Sequence, residues 1–110
     1  MVRSRSLDVG QIAVETDVDD GVASVRLAGE LDVRTVDTLV AVLDRVFERG
    51  PDAILIDGRD LAFVDSAGLR AIVLGLVRAS DAGIRYVVSD ASVPFERILA
   101  ITGLADALGR

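Results

Sequence analysis

The run Ala53-Ile54-Leu55-Ile56, closed by Asp57, constrains this chain more than any other stretch. Four successive apolar residues without polar alternation read as a strand covered on both faces, the mark of a parallel interior sheet. Downstream, Leu69, Ile72, Val73, Leu76 and Val77 recur at the spacing of one buried helix face. Between them lie Gly58-Arg59-Asp60-Leu61-Ala62, read as a loop, and then Phe63-Val64-Asp65-Ser66-Ala67-Gly68-Leu69. A serine is thus held at the start of a helix, just beyond a central strand. The first N–H groups of a helix lack internal partners and carry partial positive charge, so an added phosphate is tolerated there. The same residues have a plainer use, because Asp and Ser are both preferred N-caps. Taken alone, they favour the cap.

The flanking segments give the order of elements. Gln11 to Asp17 alternates weakly, Asp19-Asp20-Gly21 signals a turn, and Val22 to Ala28 alternates again, which predicts a β-hairpin. Val36, Leu39, Val40, Leu43, Val46 and Phe47 then fall at helical spacing, with Asp32 placed as the cap and Gly50-Pro51 as the stop. The helix after Ser66 runs to about Ser80 and ends at Asp81-Ala82-Gly83. Ile84 to Ser89 reads as another strand, and Ser92 caps a third helix with Pro94 in its first turn and Phe95, Ile98 and Leu99 inside. Gly103 closes that helix, and Leu104 to Leu108 starts one more short element. Strands alternating with helices predict one α/β domain over residues 10–110, preceded by a loose arm at 1–9. Its sheet is expected to be mostly parallel or mixed, with four to five strands, the hairpin strand at an edge, and three to four helices packed on it.

What is missing narrows the chemistry. The 110 residues include no Cys and no His, and all twelve basic residues are Arg. Disulfides, thiolate metal sites, His-based nucleophile systems, P-loop lysines and Schiff bases are therefore excluded. The net charge of −6 speaks against a nucleic-acid partner. No segment has the length and apolarity of a signal peptide or membrane span, so the expectation is a cytoplasmic protein without membrane attachment. An enzymatic reading would gather Asp57, Asp60 and Asp65 around Mg²⁺ at the carboxyl end of the central strand. The lysine that phosphoaspartyl sites rely on is absent, and solvated loop acids are the better account. Gly68 either lets a partner approach Ser66 or packs against a neighbouring strand; the residues do not choose.

Four segments together resemble the STAS domain family. They are Leu27-Ala28-Gly29-Glu30-Leu31-Asp32, then Ile54-Leu55-Ile56-Asp57, then Leu61 through Leu69 with its Asp65-Ser66-Ala67-Gly68-Leu69 core, and finally Ile98 through Leu104. They stand in the family's order and spacing and span nearly the whole chain from about Gln11. The resemblance is closest to anti-sigma factor antagonists. It implies that Ser66 is phosphorylated by an anti-sigma factor that is itself a serine kinase, with Asp65 as the flanking acid. Asp32, Gly68 and the first turn of the helix, including Ala67 and Leu69, would belong to the docking face. The unphosphorylated protein would bind the kinase and free the sigma factor, and a serine phosphatase would restore it after phosphorylation. No cofactor or metal and no enzymatic activity of its own would be involved, since ATP and Mg²⁺ belong to the kinase. The alternative within the same fold is an interaction module that works without phosphorylation, in a transport or stress-signalling complex. Two departures stand out: many relatives carry a second serine where this chain has Ala67, and the last edge strand of relatives is expected to be short or missing.

Overall fold

In the computed structural model the described residues are 11–110, so the arm expected at 1–9 lies outside them. Strands β1 (Ile12–Asp19) and β2 (Val22–Leu31) form the hairpin. Asp20 and Gly21 both take positive φ, +54° and +81°, as a two-residue turn requires for strands of right-handed twist. Helix α1 (Val36–Glu48) leads to β3 (Ala53–Val64), α2 (Ser66–Ala82) to β4 (Arg85–Ala91), and α3 (Val93–Thr102) to a 3-10 turn at Asp106–Leu108. The sheet order is β1-β2-β3-β4, with β1 antiparallel to β2 and the other pairs parallel. The four-stranded mixed sheet with β1 at its edge agrees with the sequence expectation. After α3 the chain forms the 3-10 turn, with no fifth strand among the described residues.

Two expectations fail for physical reasons. The segment Gly58–Ala62 is strand, not loop: β3 runs on to Val64 because β2 runs beside it as far as the Leu31–Val64 pair. Irregularities at Arg26–Ala28 and Gly29–Glu30 absorb the misfit, and Gly29, at φ +105°, lies where any side chain would strike the Gln11 carbonyl. The second failure concerns helix faces. Val77 and Val40, counted as inward, are 53% and 41% exposed. Beside Leu69 and Ile72, which are inward as expected, α2 buries Gly68, Ala71, Gly75 and Ala79, a small-residue stripe that lets the helix lie close to the sheet.

Helices α1 and α2 cover one sheet face, where Ala23, Val25, Leu27, Ile54, Ile56 and Val88 are fully or almost fully buried. Tyr86 lies under α2 and donates its hydroxyl to the Ile72 carbonyl at 2.9 Å. Its ring fills the space left by Gly75. Helix α3 packs on β3, with Phe95 fully buried in the space over Gly58; a Cβ there would come within 2.6 Å of the ring. The opposite sheet face stays open as a polar trough of about 580 Å³, lined among others by Ser24, Arg26, Leu55, Asp57 and Ser89. No helix among the described residues is long and apolar enough to cross a membrane.

Candidate functional site at the start of the second helix

Strands β2 and β3 end side by side, and the segments that continue them are tied together. Asp65 N–H donates to the Leu31 carbonyl at 3.2 Å, and Val33 N–H donates to Asp65 Oδ2 at 3.3 Å. Asp65 also caps α2: its backbone is extended and Oδ1 accepts from Gly68 N–H at 2.9 Å. The cap is therefore Asp65. Ser66 is exposed, and its hydroxyl has no hydrogen-bond partner among the described residues. Of the two uses open to this serine in the sequence, the capping one is already taken by its neighbour.

The remaining expected site residues sort by exposure. Ala67 is half-buried beside Ser66, whereas Gly68 and Leu69 are buried. A Cβ on Gly68 would lie 2.6 Å from both Cγ and the carbonyl oxygen of Leu31, so the glycine serves close packing rather than access. Replacing Gly68 with Ala is expected to cost about 1–3 kcal/mol, because the Leu31 backbone cannot move aside without breaking the β2–β3 pairing. Urea unfolding checks this, and an unchanged midpoint would mean the corner is looser than its geometry implies.

Asp32 is buried in the turn before α1, but it is not that helix's terminal cap. Thr35 holds that position and makes no side-chain capping bond. Asp32 instead caps the turn leading in. Its Oδ1 accepts from Arg34 N–H at 2.9 Å and Thr35 N–H at 3.2 Å, and Thr35 Oγ1 accepts from Asp32 N–H at 3.0 Å. The hydrogen bond from the Arg34 guanidinium, 2.9 Å from Oδ2, holds the Asp32 carboxyl below its usual range against the opposing effect of desolvation. Sequence reasoning missed Val33 and gave Phe63 no role of its own; both flank this corner as large apolar residues, 70% and 48% exposed. An apolar residue that breaks helical or strand periodicity next to a functional motif is the signal that could have found them.

The carboxylates proposed for a metal do not converge. Asp57 and Asp65 stand eight positions apart on and just beyond an extended strand, roughly 25 Å at 3.3 Å per residue. Asp57 lies in the open trough, paired with Arg59 at 3.0 Å and Arg26 at 3.8 Å, and Asp60 lies 3.9 Å from Arg26. Among the described residues, no three acidic side chains form a cage. Burial alone would raise the Asp57 carboxyl, but the hydrogen bonds and charge of Arg59, with Arg26, bring it below the usual range. Its stabilisation is therefore present above about pH 4 and lost as pH falls through the folded value. Asp57→Asn is expected to destabilise the domain at pH 7, with the difference shrinking toward pH 3. Urea midpoints at the two pH values measure it, and a pH-independent loss would assign the effect to shape instead.

Residues 13–109 match the STAS domain family. The anti-sigma F factor antagonist of Paenibacillus polymyxa is 32% identical over 94 residues, covering 84% of this chain and 80% of that protein. A crystal structure of an anti-sigma factor antagonist from Mycobacterium paratuberculosis superposes with a TM-score of 0.80 at 26% identity, over 89% of this chain and 83% of its own. The Bacillus cell fate determinant SpoIIAA, solved in its phosphorylated form, shares the fold with a TM-score of 0.70 at 22% identity, over 86% of each chain. A four-stranded mixed sheet with three helices, an Asp-capped second helix and these relatives point one way: the chain belongs to the STAS domain family, among the anti-sigma factor antagonists.

Proposed function

We propose that this protein antagonises an anti-sigma factor through the corner built around Ser66, and that phosphorylation of Ser66 switches the antagonism off. The observation that carries this reading is the division of labour between neighbours: Asp65 caps α2, which leaves the Ser66 hydroxyl exposed and, among the described residues, unengaged. A kinase needs such a hydroxyl, accessible on a backbone that is already rigid. Ser66 and Ala67 offer the contact surface, with Val33 and Phe63 as apolar flanks. Asp32, Asp65, Gly68 and Leu69 hold its shape. The partner is the anti-sigma factor, acting as a serine kinase, and a serine phosphatase resets the cycle. The antagonist itself is a substrate without catalytic groups, working in the cytoplasm.

Electrostatics support a switch at this place. A phosphate adds nearly two negative charges beside Asp65. In the free protein solvent screens them, whereas in a packed interface they meet repulsion and desolvation. The test is phosphorylation by the purified cognate anti-sigma factor with ATP and Mg²⁺, followed by mapping of the modified residue. The reading predicts a single phosphate on Ser66 in the wild type and none on Ser66→Ala. Stable binding to both proteins with no phosphate transfer would make this an interaction module of constant affinity.

A further inference from the structure

Helix α2 has no acidic residue in its first turn, and its first charge is a cation, Arg70, four residues after Ser66. Arg70 lies just past the first turn, where the dipole of the helix start has largely faded. It is exposed and has no hydrogen-bond or ion-pair partner among the described residues. The other cation near the corner, Arg34, is already engaged, 2.9 Å from Asp32 and 3.7 Å from Glu30. Side chains four apart on a helix stand on one face, about 5–6 Å apart at Cβ. Helical Cα–Cβ bonds also lean toward the N-terminus, which puts Ser66 within the reach of a long side chain at Arg70.

Resting on the reading of Ser66 as phosphoacceptor, we propose that Arg70 is the intramolecular partner of the phosphate on Ser66. The guanidinium fork matches two phosphate oxygens, and an anion at the helix start gives this cation a favourable i,i+4 pair. The other charged groups around the phosphate are Asp65 from the same corner and Glu30, Asp32 and Arg34 from the end of β2 and the turn after it. The three acids all repel it. Arg70 thus gives the modified protein its own counter-charge, folding the phosphate onto α2 instead of leaving it free for a cation on the partner. Arg70 acts as a positioning residue for the modified state and contributes nothing to the unmodified one.

The experiment installs phosphoserine at position 66 during translation, so that no kinase is needed, and follows the phosphate by ³¹P NMR through a pH titration at low salt. Replacing Arg70 with Gln is expected to raise the second phosphate pKa by roughly half a unit, the scale of an exposed ion pair. Arg70→Lys retains most of the wild-type value, and Arg34→Gln changes it little. Identical titrations for wild type and Arg70→Gln overturn the proposal, as does a larger shift from Arg34→Gln, which would assign the phosphate to the turn before α1. A kinase that ignores Ser66 would overturn the phosphoacceptor reading while leaving this titration standing, so the two failures are separable.

Discussion

Ser66→Asp is expected to lower the affinity for the proposed anti-sigma factor partner on the order of 100-fold, close to 3 kcal/mol, as a charge placed in a packed interface does. The folded protein itself changes by less than about 0.5 kcal/mol, because Ser66 is an exposed position at a helix start, where an acidic side chain is welcome. Ser66→Ala is expected to keep the wild-type affinity, since the hydroxyl it removes has no partner among the described residues. Titration calorimetry with the purified partner, beside urea unfolding of each free variant, separates binding from folding. A Ser66→Asp protein that binds as tightly as wild type would put the interface elsewhere on the domain.

Phe95→Ala is expected to cost about 3–5 kcal/mol, a large part of the stability of a domain this size. The ring is fully buried against Gly58 and near Leu61, so truncation leaves a void lined by β3 and the underside of α3. The damage reaches function indirectly. Beyond Gly58 no residue of β3 pairs with β4, and α3 packs on β3 in that region. Hydrogen exchange of the β3 amides from Arg59 to Val64 should therefore quicken in the variant, together with a lower urea midpoint. Loss of stability without faster exchange there would assign the effect to α3 alone.

The parts of this fold that rest on local chemistry can be read from the chain. Asp20-Gly21 announces the hairpin, Ser92 accepts from Phe95 N–H as a cap, and Gly83 and Gly103 end their helices with φ +72° and +74°. The parts that cannot be read depend on distant partners. Gly58-Arg59-Asp60 has the composition of a loop, and it becomes strand only because the upper half of β2 offers it a ladder. Apolar periodicity finds Leu69 and Ile72 on the inner face of α2, yet contact with the sheet also selects its smallest residues, Gly68, Ala71, Gly75 and Ala79, and leaves Val77 exposed. The corner is legible in its residues but not in its roles. Asp65 and Ser66 are equally good caps by type, and only the hydrogen bond to Gly68 distinguishes the one that caps from the one that is free.

The place of Tyr86 has a practical consequence. It is the only tyrosine in a chain without tryptophan, and it lies 4% exposed beneath the helix that begins at Ser66. Burial raises its phenol above the usual ionisation range, and its hydroxyl is fastened to the Ile72 carbonyl. The protein's near-ultraviolet absorbance and emission are therefore dominated by one chromophore whose surroundings are α2 itself. Unseating that helix changes the polarity and hydrogen bonding of the ring directly. The domain thus carries an intrinsic optical gauge of whether the helix bearing Ser66 is docked, readable without a label and without altering any residue of the corner.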